Sequence, residues 1–153
     1  MKIRSATPSD AAALNNVLQD LIATGKRIKP SDPDFVLTHY ISDPGRIKCS
    51  IAQDENGLIL GFQSLKLAEE GNPYGTPIGW GIIGTHIRTS AARRGVSKSL
   101  FASSEQAAKT AGLPKIEALI GANNTPALAF YESLGFRKYK NETDAVGKSF
   151  TVV

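Results

Sequence analysis

The clearest pattern in the chain is a helical spacing of apolar residues after the first ten positions. Apolar side chains recur there at intervals of three and four residues, which places them on one face of a helix. They are Leu14, Val17, Leu18, Leu21 and Ile22. Asp10, at the end of the run Thr7-Pro8-Ser9-Asp10, supplies a start for this helix, and Gly25 supplies its end. A short edge-like strand over residues 2–6 is predicted before it.

Past this helix the hydrophobic period changes from helical to alternating. Asp32 and Pro33 first predict a second short helix, because a capping side chain is followed by proline at the first helical position. Ile47, Cys49 and Ile51 then alternate with polar residues, which predicts a strand with one buried face. The remaining predicted elements are strands at 58–67, 78–87 and 115–120, helices at 97–111 and 127–134, and two strands in the tail 136–153 around the polar loop 140–148.

These elements follow one another in the order β-α-α-β-β-β-α-β-α-β-β, which is an α/β (α+β) arrangement. No internal repeat, linker or low-complexity tract interrupts it, so residues 1–153 are predicted to form a single domain. The inner face of the helix at 97–111 is predicted to carry Leu100, Phe101, Ala107, Ala108 and Ala111.

Composition and charge narrow the classes of function. The single cysteine, Cys49, excludes a disulfide framework and a cysteine-rich metal site, so it is expected to be inert core and no metal is expected. The formal net charge of +4 permits a polyanionic partner, but the basic residues form two small clusters without interleaved aromatics, so nucleic acid is not expected. The sequence shows neither a membrane span nor a secretion signal, which predicts a cytoplasmic protein without a membrane partner.

The most informative segment is a basic, glycine-containing turn between the strand 78–87 and the helix 97–111. A helix that follows a strand points its first free N–H groups and the positive end of its dipole at whatever lies in front of it. Gly95 lets the turn bend and approach a ligand closely, because it has no Cβ. The turn therefore predicts an anion site, interpreted as the pyrophosphate site of a coenzyme. Its predicted binding residues are Arg93, Arg94, Gly95, Val96, Ser97 and Lys98.

Two local patterns stand out in the second half of the chain. The turn Ala92–Ser97 has the form A-x-x-G-x-S, and a later segment has the form N-x-x-A-x-x-x-Y-x-x-x-G-F. The second pattern is formed by Asn124, Ala127, Tyr131, Gly135 and Phe136. In both patterns and in its order of elements the chain resembles the GNAT superfamily of acyl-CoA-dependent N-acetyltransferases. The coenzyme turn of that family is usually [QR]-x-x-G-x-[GA], so alanine and serine depart from it at the first and last positions.

The resemblance implies a mixed, mostly antiparallel central sheet. The predicted elements supply about seven strands for this sheet, together with four helices. It implies transfer of an acetyl group from acetyl-CoA, as cosubstrate, to a primary amine by direct attack through a tetrahedral intermediate. The chain looks most like the small-molecule branch related to phosphinothricin acetyltransferase, and a homodimer is expected, as in similar proteins. Two other interpretations stay open: a protein or peptide N-acetyltransferase, and a non-catalytic acyl-CoA-binding module.

The resemblance also implies chemical roles for single residues. Tyr131 would protonate the departing thiolate, and packing of its ring against the sheet is the structural alternative. Ile87, with Arg88, would offer backbone contacts to the coenzyme from a splayed strand. Asn124 and Ala127 would line the pantetheine arm, and capping of the helix start is the structural alternative for Asn124.

The attacking amine must lose a proton. An alkyl amine with a pKa of about 10.4 is almost entirely protonated at pH 7, so a base or an ordered water chain is expected. Family members often have a glutamate on the strand before the turn, but residues 78–88 contain none. The candidates are His86 on that strand and Glu69 or Glu70 in the preceding loop. A structural histidine that faces the other side of the sheet is the alternative for His86.

The acceptor is predicted from the loop between the first two helices. That loop carries Lys26, Arg27 and Lys29, and a basic rim favours acceptors that bear a carboxylate or phosphate. The sequence therefore predicts a small amine with an anionic group, such as an amino acid or its analogue, and a solvated basic surface is the alternative. Tyr74 and Trp80 could pack on this acceptor, although packing in the core or on the surface is the preferred interpretation for Trp80.

Overall fold

The computed structural model describes residues 1–92 and 94–153, in which seven strands and four helices follow the predicted order. The helices are α1 (Ala11–Ala23), α2 (Pro33–Val36), α3 (Val96–Ala111) and α4 (Thr125–Leu134). The strands are β1 (Lys2–Ser5), β2 (Arg46–Gln53), β3 (Ile59–Leu67), β4 (Gly81–Ile87), β5 (Lys115–Gly121), β6 (Arg137–Asn141) and β7 (Ala145–Thr151). Short 3-10 turns lie at Pro8–Asp10 and Thr89–Ala91, and α2 continues into a π-helical turn at Leu37–Ile41.

The strands form one sheet in the order β1-β2-β3-β4-β5-β7-β6. Neighbouring strands are antiparallel except β4 and β5, which are parallel and are joined by α3 as a crossover. The predicted fold class, with a mixed and mostly antiparallel sheet, is confirmed. β1 lies at one edge of the sheet, as predicted.

β4 and β5 pair over only two residues and then separate. Gly81 lies opposite Ile116, and Ile82 lies opposite Glu117. The rest of β4 is paired with β3 alone. The C-terminal half of β4 therefore has a free edge inside the sheet.

The direction of the backbone groups along β4 shows which of them face this free edge. The amide of Arg88, just past the strand, donates to the carbonyl oxygen of Leu60 in β3 at 2.8 Å. Backbone groups alternate in direction along a strand, so the N–H groups of Thr85 and Ile87 point the other way. Those two donors face the gap between β4 and β5.

The sheet buries a separate apolar cluster on each face. The cluster under α1 and α2 includes Leu14, Val17, Leu18, Val36, Tyr40, Ile41, Cys49, Ile51 and Phe62. The cluster under α3 and α4 includes Leu65, Ile83, Phe101, Ala108, Ile116, Tyr131 and Phe136. Because side chains alternate along a strand, Thr85 and His86 of β4 face different clusters. The predicted burial of Cys49 is confirmed.

α3 begins and ends next to glycines with the same backbone conformation. Gly95 precedes its first residue with φ of 76°, and Gly112 follows its last residue with φ of 71°. This left-handed conformation is strained for residues with a Cβ, so both positions favour glycine. The helix starts at Val96, one residue earlier than predicted.

The structure corrects the predicted start of β4. The strand was expected from residue 78, but residues 77–80 form a turn in which the Trp80 amide donates to the Pro77 carbonyl at 3.2 Å. Gly79, with φ of 91°, is part of this turn. The unusual glycine content of the segment therefore belongs partly to a turn, and β4 begins at Gly81.

Two further expectations about the second half of the chain are wrong. The polar loop expected at 140–148 is confined to residues 142–144, because β6 and β7 extend into it. Ala111 was expected on the inner face of α3 but is exposed, since it lies in the last turn of the helix. Ser104 is fully buried on that face instead.

Asp10 holds the start of α1 to β1. The Arg4 guanidinium donates to its two carboxylate oxygens at 2.9 and 2.8 Å, and the Thr7 amide donates to it at 2.8 Å. Chiefly through the hydrogen bond from Arg4, the pKa of Asp10 is lowered from 3.8 to about 2. A carboxylate whose pKa is lowered by folding stabilises the fold above its ordinary pKa and loses that contribution as the pH falls toward the folded value.

We therefore expect Asp10→Asn to lower the free energy of unfolding at pH 7 by about 1–2 kcal/mol. The difference between wild type and variant should shrink as the pH falls from about 4 to about 2, because the wild-type carboxylate is then protonated as well. Urea denaturation followed by circular dichroism over this range measures it. A difference that does not change with pH would contradict a role for the charge.

Candidate active site

The start of α3 presents backbone N–H groups that have no partner within the helix. The first amide bonded inside this helix is that of Ser99, which donates to the Gly95 carbonyl at 3.2 Å. The N–H groups of Val96, Ser97 and Lys98 precede it and point out of the helix end. Gly95, the N-cap residue, has no side chain that could accept hydrogen bonds from these N–H groups. This end of a 16-residue helix therefore offers three donors and the positive end of a dipole, which suits a phosphate.

Cationic side chains flank that helix end. Arg94 and Lys98 are both exposed. Arg94 and Val96 line a cavity of about 280 Å³. The cavity also reaches residues 54–56, in the turn between β2 and β3. Arg93, also predicted to bind the coenzyme, lies outside the described residues.

Tyr131 of α4 reaches the free part of β4. Its phenol oxygen lies 2.8 Å from the hydroxyl of Thr85, so α4 brings this tyrosine to the stretch of β4 whose N–H groups face the gap. The side chain is almost completely buried, with 6% of the residue exposed. Burial, partly offset by the hydrogen bond with Thr85, raises the pKa of Tyr131 to about 12. The phenol therefore keeps its proton at physiological pH.

The start of α4 lies at the surface. The side-chain oxygen of Asn124 accepts a hydrogen bond from the amide of Ala127 at 3.3 Å, so the capping role is present. Asn124 is exposed and Ala127 is half-buried. Capping uses one carboxamide oxygen, which leaves the amide nitrogen of Asn124 for other contacts.

A row of buried polar side chains continues from Tyr131 into the core, and sequence reasoning missed it. Ser104 of α3 donates to the side-chain oxygen of Gln63 at 2.6 Å, and the side-chain nitrogen of Gln63 donates to Thr85 at 2.9 Å. Thr85 in turn contacts Tyr131. A signal was available, because Gln63 interrupts the apolar strand 58–67 and Ser104 lies four residues after Leu100 on the inner face of its helix.

His86 lies on the opposite face of β4 from this row. Its ring centre is 4.8 Å from that of Phe62 and 5.4 Å from that of Tyr40, in the cluster under α1 and α2. Burial, with smaller contributions from the positive charge of Arg27 and from His39, lowers the pKa of His86 to about 3. The imidazole is therefore neutral at physiological pH and is a weaker base than an exposed histidine.

Arg27, in the loop between α1 and α2, adds positive charge on the same face. Its Nε donates to the carbonyl of Lys29 at 2.9 Å, and its guanidinium carbon lies 6.0 Å from the ring centre of Phe35. Its Nη2 is buried and has no hydrogen-bond partner among the described residues. The ring of Phe35 is 5.8 Å from that of Tyr40, which itself contacts His86. Arg27 and His86 thus belong to one cluster of aromatic and basic side chains.

A family model that matches most of the sequence identifies the protein family of this chain. The sequence model of the acetyltransferase (GNAT) family matches residues 14–136, a span that contains both the turn before α3 and the whole of α4. The chain belongs to the acetyltransferase (GNAT) family. It is accordingly an acyl-CoA-dependent acetyltransferase, as the resemblance implied.

Solved structures of acetyltransferases share this GNAT fold at low sequence identity. A protein proposed to be a phosphinothricin N-acetyltransferase has a TM-score of 0.80 and 19% identity, covering 99% of this chain and 98% of its own. The proposed acetyltransferase yncA from Salmonella typhimurium, solved with its cofactor acetyl-CoA, has a TM-score of 0.81 and 17% identity, covering 99% and 94%. Ribosomal-protein-alanine N-acetyltransferase from Brucella melitensis has a TM-score of 0.80 and 18% identity, covering 99% of both chains.

At these identities the similarity establishes the fold alone. The names of the similar structures include both a small molecule and a protein, so they do not decide the acceptor. No curated protein matches the sequence significantly.

Some residues predicted to act in this GNAT acetyltransferase lie apart from the cluster around β4. Glu69 and Glu70 are exposed in the loop before β4, whereas Tyr131 is buried against the sheet and His86 is half-buried. The backbone N–H of Arg88, predicted together with Ile87, is bonded to β3, and the Nε of Arg88 donates to the Ile59 carbonyl at 3.1 Å. The backbone N–H and the Nε of Arg88 are therefore used within the fold, and the remaining donors of this residue are the Nη1 and Nη2 groups of its guanidinium.

Trp80 also lies away from this cluster. Its ring centre is 5.2 Å from that of Tyr139, and the Nζ of Lys115 lies 5.8 Å from the indole ring. This arrangement supports packing as the role of Trp80. Tyr74 is half-buried, and its backbone carbonyl accepts a hydrogen bond from Lys140 at 2.9 Å.

The described residues contain neither a membrane-spanning helix nor a cluster of metal ligands. None of its helices is both long and apolar enough to cross a bilayer. No group of three or more histidine, cysteine, aspartate or glutamate side chains in residues 1–92 and 94–153 is arranged to hold a metal ion.

Proposed function

We propose that this acetyltransferase moves an acetyl group from acetyl-CoA to the primary amine of a small molecule that carries an anionic group. One observation carries the proposal: the free edge of β4 runs from Thr85, the partner of Tyr131, toward the turn that begins α3. Direct attack of an amine on a thioester needs donors for the carbonyl oxygen, an acid for the thiolate and a site for the amine. Candidate residues for each of these three functions lie on or next to β4. Residues 1–153 are proposed to form one catalytic domain.

The start of α3 is proposed to hold the pyrophosphate of acetyl-CoA. Its three free N–H groups and its dipole fit a doubly charged group. Space is available in front of the turn, because a Cβ added to Gly95 would meet no atom of the described residues within 4 Å, its two chain neighbours aside. Asn124 and Ala127 are proposed to contact the pantetheine arm. The proposed phosphate ligands are Arg93, Arg94, Gly95, Val96, Ser97 and Lys98.

The backbone N–H of Ile87 is proposed to bind the carbonyl oxygen of the acetyl group. A donor that is already oriented by a strand stabilises negative charge on that oxygen without reorganisation. Tyr131 is proposed to donate its phenol proton to the departing sulfur, since its raised pKa keeps the phenol protonated at physiological pH. His86 is proposed to accept a hydrogen bond from the amine. Because its pKa is low, His86 is better suited to orient the amine than to hold the proton that the amine loses.

The proposed anionic group of the acceptor would bind Arg27. A buried guanidinium nitrogen without a partner is destabilising by about 1–3 kcal/mol, and a carboxylate or phosphate oxygen would supply the missing acceptor. Arginine offers paired N–H groups whose geometry matches such anions. The cluster of Phe35, Tyr40 and His86 would then surround the aliphatic part of the acceptor.

A panel of acceptors tests the proposed function. Release of the coenzyme A thiol would be measured with free amino acids, their amides, polyamines, aminoglycosides and peptides with a free N-terminus. We expect the highest kcat/KM among small amines with an anionic group. Preference for polyamines or aminoglycosides would contradict the anionic acceptor, preference for peptides would favour a protein acetyltransferase, and acetyl-CoA binding without turnover would favour a binding module.

Arg27→Gln should raise the KM for an amino acid acceptor about tenfold, because the variant loses a charged hydrogen bond to the carboxylate. The KM for the corresponding amide should change by less than about twofold, since the amide lacks that charge. Lys26→Gln is the matched control, as it removes the same charge from an exposed position in the same loop. Steady-state kinetics of both variants with both acceptors measures the effect, and an equal change for acid and amide would contradict the proposal.

A homodimer and a cytoplasmic location also belong to this proposal. The homodimer is expected from the resemblance to the family, and the cytoplasmic location is expected from the sequence. Sedimentation velocity over a range of protein concentrations measures the first, and fractionation of the source cells measures the second. A concentration-independent monomer would contradict the dimer.

A further inference from the structure

The row Ser104, Gln63, Thr85 and Tyr131 crosses the core from α3 to α4 through two neighbouring strands. Ser104 and Gln63 are fully buried, and Tyr131 is 6% exposed. Buried polar groups are destabilising unless all their hydrogen bonds are made, so apolar residues would be the simpler choice at these positions. The hydrogen-bond pattern of this row therefore suggests a role other than packing.

The direction of the hydrogen bonds along the row follows from the donors and acceptors that each group has. The Ser104 hydroxyl donates to the Gln63 side-chain oxygen, so the side-chain nitrogen of Gln63 faces Thr85 and donates to it. The oxygen of Thr85 is thus already an acceptor. Among the described residues, its own proton has one acceptor within reach, which is the phenol oxygen of Tyr131 at 2.8 Å. In this arrangement the phenol proton of Tyr131 is not used inside the row.

We propose that Thr85 is a positioning residue that donates to the phenol oxygen of Tyr131, leaves the tyrosine's own proton free for the thiolate, and stabilises the phenolate that remains. Gln63 and Ser104 fix the direction in which Thr85 donates. The inference rests on the proposed role of Tyr131 as the acid of the acetyl transfer.

The proton balance of the step is closed. As the carbon–sulfur bond of the thioester breaks, the electron pair goes to sulfur, which takes the phenol proton of Tyr131. The phenolate keeps the hydrogen bond from Thr85. The nitrogen that has gained the acetyl group loses one proton to water, and the phenolate regains one from water. The net products are the amide and the free thiol.

The first test removes the hydroxyl of Thr85 and keeps its shape. Thr85→Val should lower kcat about tenfold, because a hydrogen bond to a charged oxygen is lost, while the KM for acetyl-CoA stays unchanged. Thr85→Ser keeps the hydroxyl and should restore kcat to within about twofold of the wild type. If both variants lose activity equally, shape and not the hydroxyl matters, and the proposal is overturned. Thermal melting of each variant shows that the compared proteins are folded.

A double-variant cycle with Tyr131→Phe separates the positioning role from a purely structural one. If Thr85 acts through the phenol, Thr85→Val should have no further effect on kcat once the phenol is gone. An undiminished tenfold loss in the Tyr131→Phe background would overturn the proposal. Should Tyr131→Phe itself leave kcat unchanged, the proposed acid fails, and that outcome is distinct from a failure of the hydrogen-bonded row.

A measurement on the protein without substrates tests the row independently. With fluorotyrosine at position 131, 19F NMR follows ionisation of this phenol as the pH rises. The ring centre of Tyr131 lies 5.1 Å from the ring centres of Phe130 and Phe136. Its hydrogen-bond partner on β4 is the uncharged Thr85. The neighbouring Glu132 accepts a hydrogen bond from the Nζ of Lys148 at 3.0 Å. Loss of the donor in Thr85→Val should raise the pKa of the phenol, whereas Thr85→Ser should not. An unchanged pKa in Thr85→Val would overturn the proposal whatever the kinetics show.

Discussion

Tyr131→Phe should lower kcat about 30- to 100-fold while the dissociation constant for acetyl-CoA stays within about twofold. The hydroxyl is the only part of the side chain that is removed, and the ring keeps its packing on Phe136. The loss should lie at the low end for a general acid, because a thiolate with a pKa of about 8.5 can leave without complete protonation. Steady-state kinetics with the preferred acceptor and calorimetry with acetyl-CoA measure the two quantities.

Tyr139→Phe is the matched control for this variant. The phenol of Tyr139 is likewise hydrogen-bonded within the fold, where it donates to the buried carboxylate of Glu117, but it lies away from the free part of β4. We expect this variant to lower the melting temperature and to leave kcat near the wild-type value. A kcat for Tyr131→Phe within twofold of the wild type would exclude the phenol as the acid.

Gly95→Trp should weaken acetyl-CoA binding by at least about 100-fold, which corresponds to about 2.7 kcal/mol of binding free energy. The indole would occupy the space in front of the free N–H groups of α3, where a Cβ at Gly95 meets no atom within 4 Å in the part of the chain that the structure describes, apart from its two chain neighbours. The positive φ of 76° at this position also disfavours a side chain, so the turn itself would be strained. Isothermal titration calorimetry with acetyl-CoA measures the change.

The same helix supplies the control for the strain. Gly112, at its other end, has φ of 71° and equally open surroundings, so Gly112→Trp imposes the same backbone cost far from the proposed phosphate site. We expect acetyl-CoA binding by Gly112→Trp to remain near the wild-type value. Equal weakening in both variants would show that strain, and not occupation of the site, is responsible.

The elements of the fold were predictable because each carries a local signal. The spacing of Leu14, Val17 and Leu18 fixed one face of α1, and Asp32 followed by Pro33 gave the start of α2, where the aspartate accepts from the Phe35 amide at 2.7 Å. Boundaries failed where a glycine-rich turn resembled a strand, as at residues 77–80. There a hydrogen bond from the Trp80 amide to the Pro77 carbonyl, invisible in the pattern of apolar positions, closes a turn, so the strand begins only at Gly81.

The proposed site was predictable only in part. The turn before α3 and the motif around Tyr131 are local, so residue types at fixed spacing were enough to find them. The row through Gln63 and Ser104 is not local, because its members are 41 residues apart in the chain and meet through packing of α3 on β3. The buried guanidinium nitrogen of Arg27 likewise depends on how the loop folds against Phe35, which its charge alone could not predict.

The short pairing between β4 and β5 has a consequence for assembly of the molecule. Strands β1–β4 are neighbours both in sequence and in the sheet, and β5–β7 form a second group of antiparallel strands. Each group is therefore held together by antiparallel pairs of its own, while the two-residue parallel junction joins the groups across the α3 crossover. The gap that follows this junction exists only once the two groups have docked. A ligand that spans the gap binds the docked state alone, so it should also protect the whole protein against unfolding.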